Sequence, residues 1–149
     1  MVKAVFFGTA EIACPSLEAL AESGFAKVIA VVSQPDKPRG RDLKVQSTPV
    51  KELALKLEIP VLQPERARNE NFLAELRALA PNVIVVMAYG QILPPALLEI
   101  PTHGCVNIHT SILPKYRGAA PIQWALLNGD IETGATLMKM DAGMDTGPM

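Results

Sequence analysis

Val83-Ile84-Val85-Val86-Met87 is the most apolar run in the chain, and it decides the predicted fold. Consecutive apolar residues rich in β-branched side chains are typical of a strand buried on both faces, as in a parallel sheet covered by helices. Similar runs occupy residues 2–7 and 28–32. We therefore expect residues 83–87 to lie centrally in a sheet that contains all three runs.

Segments with helical spacing alternate with these strands. The pattern predicts helices near residues 12–23, 50–57, 71–79, 96–99 and 121–128, and further strands at 61–62, 104–109 and 135–140. Regular alternation with short turns indicates an α/β fold with a doubly wound, mostly parallel sheet. Ligands bind such sheets beyond the carboxyl ends of the strands, where we expect residues 107–109 and the segment ending at Asp145 to meet.

Composition excludes several classes of protein. The 149 residues are 49% hydrophobic and 19% charged, which predicts one packed domain rather than a disordered chain. The net charge of −1 excludes a generally basic surface, so a nucleic-acid partner would need a local basic patch. No apolar run reaches membrane-spanning length, which favours a cytoplasmic protein without a membrane partner.

The motifs that would hold metals or nucleotides are missing. Cys14 and Cys105 form no CxxC pair, so we interpret them as buried thiols in a reducing cytosol. His103 and His109 do not stand at metal-ligand spacing, and His103 is interpreted as a loop histidine. Gly8 begins neither a G-x-G-x-x-G nor a Walker motif, which argues against a classical dinucleotide cofactor.

A polar loop is predicted from residue 33 to residue 49. Its prolines and glycine interrupt any regular pattern, and its length is unusual for a connector in a compact domain. Its charged residues are Lys37, Arg39, Arg41 and Lys44 against Asp36 and Asp42, a local charge of +2. The residues alone favour a solvated surface loop, with phosphate binding as the alternative.

Asn107 and His109 end a predicted strand two residues apart, so their side chains share one face. An amide donor beside a protonated imidazole can hold the oxyanion that forms when a nucleophile attacks a carbonyl carbon. The spacing alone equally fits an ordinary strand end whose polar groups bond to the local backbone.

Residues 107–118, Asn-Ile-His-Thr-Ser-Ile-Leu-Pro-Lys-Tyr-Arg-Gly, resemble the signature of the folate-dependent formyltransferases, Asn-x-His-x-Ser-Leu-Leu-Pro-x-x-x-Gly. Ile112 replaces the usual leucine, which is a small change because volume and polarity are nearly kept. The family's third catalytic residue corresponds to Asp145 in the segment 140–147. Residues 34–41 and 117–123 are similar to the branch of the family that formylates initiator methionyl-tRNA.

The resemblance implies transfer of the formyl group of 10-formyltetrahydrofolate to the α-amino group of methionine on initiator tRNA. Asn107 and His109 would hold the oxyanion, and Asp145 would orient His109. The implied folate contacts are Ser111, Ile112, Leu113, Pro114, Tyr89, Gly90, Gln91, Ile92, Leu93 and Asp141. The implied tRNA contacts are Lys37, Arg39, Arg41 and Lys44. No metal is implied.

Two alternatives stay open. A sibling enzyme acting on glycinamide ribonucleotide or an amino-sugar nucleotide would share the catalytic residues, although the Arg-Gly-Ala-Ala-Pro run at 117–121 weighs against the purine enzyme. A non-catalytic folate-binding or hydrolase-like module would keep the pocket without an acceptor. The resemblance also implies that residues 1–149 are an incomplete N-terminal catalytic domain, truncated at its C-terminal end, in a monomer with a C-terminal β-barrel.

Overall fold

A computed structural model describes residues 1–39, 44–109 and 136–140 of the chain. The strands are β1 (Val2–Gly8), β2 (Ala26–Val32), β3 (Lys37–Arg39), β4 (Lys44–Gln46), β5 (Val61–Leu62), β6 (Val83–Met87), β7 (Cys105–His109) and β8 (Thr136–Lys139). The helices are α1 (Cys14–Glu22), which follows a 3-10 turn at Glu11–Ala13, α2 (Pro49–Lys56), α3 (Glu70–Leu79) and α4 (Pro95–Leu98).

Six of the described strands form one sheet in the order β5-β2-β1-β6-β7-β8, and all neighbours are parallel except β7 and β8. The chain winds outward from β1 through β2 to β5, and outward from β6 through β7 on the other side. The predicted doubly wound, mostly parallel sheet is therefore confirmed, with Val83–Met87 in one of its two central strands. The boundary between β1 and β6 is the switch point at which ligands bind in such sheets.

Helices cover both faces of the sheet. Leu17 of α1 and Val50 and Ala54 of α2 pack with Phe6 and Val31 on one face. On the other face the strand residues of the core are packed against α3 and α4, and this core includes Val5, Phe7, Ile84, Val86, Cys105, Phe72, Leu73, Leu76 and Leu97. Burial on both faces explains why the inner strands read as continuous apolar runs.

The helices begin where the sequence supplies suitable caps. The hydroxyl of Thr48 accepts the backbone N–H of Lys51 at 3.1 Å, and Pro49 opens α2. The side chain of Asn69 accepts the N–H of Phe72 at 3.1 Å. Each cap satisfies one of the backbone donors that a helix leaves open at its start. In the described part of the chain, no helix is both long and apolar enough to span a bilayer.

The polar segment 33–49 contains structure that the sequence pattern did not predict. β3 and β4 pair antiparallel, with Lys37 opposite Gln46 and Arg39 opposite Lys44. The loop prediction was therefore wrong for these six residues, because a hairpin that buries little apolar surface shows no apolar alternation. We call this two-stranded unit the basic hairpin. The predicted helix at 121–128 lies outside the described residues.

Candidate active site at the carboxyl edge of the sheet

β7 carries Asn107 and His109 to the carboxyl edge, where the parallel strands end. Asn107 is half-buried and His109 is 5% exposed, so only a small part of the imidazole can meet a ligand. Cys105 lies on the same face within the core, and burial raises the pKa of its thiol to about 12. Asn107 lies opposite Val86 of β6, and His109 is the last residue of β7.

The turn after β6 is held tightly against the end of β1. The backbone N–H of Thr9 donates to the Ala88 carbonyl at 3.0 Å, and the Thr9 hydroxyl donates to the Tyr89 carbonyl at 2.7 Å. Ala88 has a φ of 50° and Gly90 a φ of 99°, both in the left-handed region that L-residues rarely adopt. Strain of this kind persists only where the surroundings determine the backbone, and it is common at ligand-binding turns.

Glutamine and threonine side chains connect the ends of four strands. Gln91 Nε2 donates to Gln34 Oε1 at 2.7 Å and to the Glu65 carbonyl at 2.8 Å, while Gln91 Oε1 accepts the Ala67 N–H at 2.8 Å. Gln63 Nε2 donates to the Gln34 carbonyl at 3.1 Å. These bonds join the segments that follow β2, β5 and β6, and Thr9 adds the end of β1 by accepting the Gln34 N–H at 3.2 Å.

The basic hairpin presents cations on one of its faces. Lys37 and Gln46 are opposite each other, and Lys44 is two residues from Gln46, so alternation places all three side chains on the same face. Lys37 and Lys44 are both exposed. Pro38 and Val45 occupy the other face, and Val45 is 66% exposed. The side chain of Arg39 and all of Arg41 lie outside the described part of the structure.

A cavity of about 300 Å³ lies at the switch point between β1 and β6. Its wall combines the turns after these strands with the basic hairpin, and it includes Thr9, Gln34, Lys37, Gln46, Ser47 and Gly90. We call it the switch-point cavity. A larger groove of about 470 Å³ opens on Arg77, Pro81, Glu99 and Thr102, at the opposite edge of the sheet.

Comparison with known proteins assigns the family. The formyl transferase family matches residues 2–149. The chain belongs to this family. A methionyl-tRNA formyltransferase of Pelobacter propionicus is 59% identical over 97% of this chain and 45% of its own length. That of Myxococcus xanthus is 61% identical over 97% of this chain and 46% of its own length. The chain thus spans about half the length of these curated relatives.

Solved structures of the formyl transferase type share the fold. The chain matches glycinamide ribonucleotide transformylase 1 from Symbiobacterium toebii with a TM-score of 0.78 at 20% identity, covering 99% of this chain and 70% of that one. It matches phosphoribosylglycinamide formyltransferase from Streptococcus pneumoniae with a TM-score of 0.76 at 26% identity, covering 99% and 78%. A formyltetrahydrofolate deformylase from Pseudomonas syringae gives a TM-score of 0.73 at 26% identity, covering 99% and 48%.

The residues predicted to contact folate divide into three groups. Tyr89 and Leu93 place their side chains in the core, and burial raises the pKa of the Tyr89 hydroxyl to about 12. Ile92 is 82% exposed, and the Gln91 amide is already bonded to its neighbours. A ligand at this turn would therefore meet backbone groups and Ile92. Ser111, Ile112, Leu113, Pro114 and Asp141 lie outside the described residues.

β8 does not run toward the carboxyl edge, where the sequence pattern places the meeting of residues 107–109 with the segment ending at Asp145. β8 runs antiparallel to β7, from Thr136 opposite His109 to Lys139 opposite Val106, and Met140 donates its N–H to the Cys105 carbonyl. The strand therefore leads away from the carboxyl edge, and the sequence pattern could not show this because alternation carries no strand direction. Residues 141–145 lie outside the described residues.

Other sequence predictions concern single residues. Cys105 is buried as predicted, but Cys14 is only half-buried, so the prediction was wrong for that thiol. Burial, followed by Glu11, Glu18 and Glu52, raises the pKa of the Cys14 thiol. His103 is exposed in the turn before β7. Among the described residues, no group of three or more His, Cys, Asp or Glu side chains is placed to hold a metal ion.

Sequence reasoning missed Gln34, Asp36, Gln63 and Lys51. Two signals could have pointed to them. Gln34 and Gln63 come just after the apolar runs that form β2 and β5, so a polar side chain with both donor and acceptor atoms stands at the end of each strand. Asp36 is the first carboxylate after β2. Parallel strands end at the same edge, so such residues are expected to meet there.

Proposed function

We propose that residues 1–149 are the N-terminal catalytic part of an enzyme that transfers the formyl group of 10-formyltetrahydrofolate to the α-amino group of methionyl initiator tRNA. The observation that carries the proposal is the arrangement at the carboxyl edge. Asn107 and His109 end β7 beside the turn after β6, while Lys37 of the basic hairpin lines the switch-point cavity. Groups suited to acyl transfer and groups suited to a polyanion thus occupy the same edge.

The chemistry assigned to β7 is stabilisation of an oxyanion. The amine nitrogen attacks the formyl carbon, a C–N bond forms, and the carbonyl electron pair moves to oxygen. The Asn107 amide and the His109 imidazolium donate to that oxygen. The bond from carbon to the folate nitrogen then breaks, and that nitrogen receives the electron pair and the proton lost by the amine. Asp145 would orient His109 and pass the proton through water.

The proposed donor site is the turn after β6. Its backbone groups are fixed by the Thr9 bonds, and fixed donors and acceptors suit the polar edge of a pterin ring. Ile92 offers an exposed apolar side chain for the flat face of the ring. Gly90 has no Cβ, which lets the Gln34 side chain pack against this turn. Ser111 to Pro114 and Asp141 complete the proposed contacts.

The proposed acceptor is supported by charge and by the sequence relatives. Lys37 and Lys44 share the face of the basic hairpin that carries Gln46, and both Lys37 and Gln46 line the switch-point cavity. Phosphate neutralisation by such residues supplies most sequence-independent nucleic-acid affinity. Arg39 and Arg41 extend the proposed contact. Relatives 57–61% identical to the chain bear the name methionyl-tRNA formyltransferase.

The test is formyl transfer by the full-length protein. Initiator methionyl-tRNA, glycinamide ribonucleotide and an amino-sugar nucleotide are offered separately with 10-formyltetrahydrofolate. We expect only the tRNA to be formylated, with activity lost in His109→Ala and kept in the matched control His103→Ala, an exposed histidine before β7.

Each other result has a definite meaning. Formylation of one of the small acceptors alone would keep the proposed chemistry and reject the acceptor. Release of formate without formylation of any amine would instead support the hydrolase-like alternative.

A further inference from the structure

Asp36 lies at the point where the chain leaves β2 and enters the basic hairpin, and both of its carboxylate oxygens are bonded. Its Oδ2 accepts Lys51 Nζ at 2.8 Å, and its Oδ1 accepts Gln63 Nε2 at 2.7 Å. Lys51 belongs to α2 and Gln63 follows β5. One carboxylate therefore ties the start of the hairpin to two elements of the main domain.

The hydrogen-bond network around Asp36 continues into the turn after β6. Gln63 Nε2 also donates to the Gln34 carbonyl at 3.1 Å, and Gln34 Oε1 accepts Gln91 Nε2 at 2.7 Å. β3 and β4 pair with each other and with no strand of the six-stranded sheet. In the described part of the chain, these side-chain bonds hold the start of the hairpin together with two others, the Gln34 N–H to Thr9 bond and the 2.6 Å hydroxyl bond between Ser33 and Thr48.

Charge alone gives no reason for a carboxylate at this position. Asp36 precedes Lys37 directly, so it lowers the positive potential that the hairpin offers to phosphate. The bonds to Lys51 and Gln63 hold the pKa of Asp36 below its usual range, so the group remains charged near neutral pH. Its bonds therefore have to supply a benefit that exceeds this electrostatic cost.

We propose that Asp36 is a positioning residue for the acceptor, which fixes the start of the basic hairpin against α2 and β5 so that Lys37 lines the switch-point cavity and Lys44 lies on the same face of the hairpin. This inference rests on the proposed function, because it assumes that the hairpin contacts tRNA. It assigns Lys51 and Gln63 to the same role through Asp36. None of the three residues needs to touch the reacting atoms.

The decisive property is the sign of the effect on tRNA binding. Asp36→Ala removes a negative charge next to the hairpin, so charge alone predicts a lower KM for tRNA. Positioning predicts the opposite, a KM raised roughly five-fold, as for loss of a partly exposed bonded ion pair. The kcat and the KM for 10-formyltetrahydrofolate should stay within about two-fold, because the donor turn and β7 keep their own bonds.

Matched variants separate the effect of hairpin position from the effect of net charge. Glu65→Gln makes the same change in net charge at an exposed residue whose carboxylate has neither a hydrogen bond nor an ion pair to the described residues. Its KM for tRNA should fall slightly or stay constant. Asp36→Asn keeps one carbonyl oxygen as an acceptor, so its KM should lie between those of the wild type and Asp36→Ala. Thermal unfolding of each variant checks that the fold is retained.

Steady-state formylation by the full-length enzyme, with tRNA varied at saturating donor, is the first readout. A KM for tRNA that falls in Asp36→Ala as it does in Glu65→Gln would overturn the inference, as would a loss of kcat at constant KM. If the wild type formylates no tRNA, the proposed function fails instead. Hydrogen–deuterium exchange then still tests whether the Asp36 bonds hold the hairpin in place. Exchange at residues 37–39 and 44–46 should be faster in Asp36→Ala than in Glu65→Gln. Equal exchange in the two variants would refute the inference.

Discussion

His109 ends a strand that is hydrogen-bonded on both sides, to β6 and to β8. Lys37 instead begins a two-stranded hairpin that pairs with no other strand among the described residues. The end of β7 is thus placed by backbone bonds and a buried core, and the basic hairpin is placed by a few side chains around Asp36. We therefore expect that the proposed chemistry and the proposed acceptor binding can be changed separately. The kinetic predictions below test this separation, and the stability predictions test the contacts that hold the two regions.

The largest effect is expected at the end of β7. Asn107→Ala removes one oxyanion donor, which typically costs ~3 kcal/mol, or roughly a hundred-fold in kcat. His109→Ala should cost at least as much, because it removes the other oxyanion donor and the side chain that Asp145 is proposed to orient. Rapid-quench measurement of formyl transfer at saturating substrates gives the rate directly. A loss expressed mainly in the KM for tRNA would show that β7 serves binding instead.

The next largest effect is expected on stability, at Gly90 in the turn after β6. At Gly90 an added Cβ would lie 2.9 Å from Gln34 Nε2, and the φ of 99° is itself unfavourable for alanine. We expect Gly90→Ala to destabilise the protein by about 2 kcal/mol, as judged from urea unfolding.

Gly24→Ala is the matched control for Gly90. Its φ is also positive, at 78°, but an added Cβ meets no atom within 4 Å. The control should cost about 1 kcal/mol from backbone strain alone. Equal losses in the two variants would show that the contact between Gly90 and Gln34 contributes nothing.

A smaller effect is expected from the hairpin cations. Replacing Lys37 and Lys44 together by alanine should raise the KM for tRNA roughly ten-fold at low salt. The slope of log KM against the logarithm of the salt concentration should fall by about one to two. The kcat should change little. A salt titration of steady-state kinetics measures both quantities. Lys27→Ala, at an exposed lysine near the start of β2, removes one charge at the opposite edge and should leave the KM unchanged.

The smallest expected effect is the pH dependence of the stability that the Asp36 bonds contribute. Because bonds from Lys51 and Gln63 lower its pKa in the folded protein, Asp36 stabilises the fold at pH above its unfolded pKa of about 4. This stability is lost as the pH falls through the lower, folded pKa. The urea midpoints of the wild type and Asp36→Asn should therefore differ at pH 7 and converge on acidification below about pH 4. A difference that grows on acidification would contradict the assigned cause.

The sheet could be predicted from sequence because its inner strands are buried on both faces. Residues 83–87 and 28–32 are apolar without interruption, and only a central strand in a covered sheet needs that composition. β3 and β4 could not be predicted in the same way, since four of their six residues are polar and the five with described side chains are exposed. The antiparallel direction of β8 was equally invisible, because a strand reads the same in either direction.

For the site, the sequence predicted where two polar residues lie on a strand, but not how the side chains of the neighbouring turn are used. The motif at 107–109 indicated a pair of polar groups at a strand end, and the structure places both residues on β7 at the carboxyl edge. Tyr89, Gln91 and Leu93 belong to the predicted folate turn, yet their side chains support the core or the neighbouring strands. Whether a turn residue meets a ligand with its backbone or with its side chain depends on tertiary packing, which a linear motif does not encode. Asp145 stays a prediction.

The separation of chemistry from acceptor binding is tested most directly by single-turnover formyl transfer in the full-length enzyme at saturating tRNA and saturating 10-formyltetrahydrofolate. His109→Ala should lose roughly a hundred-fold or more in rate, and the Lys37→Ala/Lys44→Ala variant should react at nearly the wild-type rate once it is saturated. A hairpin variant that stays as slow as His109→Ala at saturation would contradict the account, because it would place the hairpin in the chemical step.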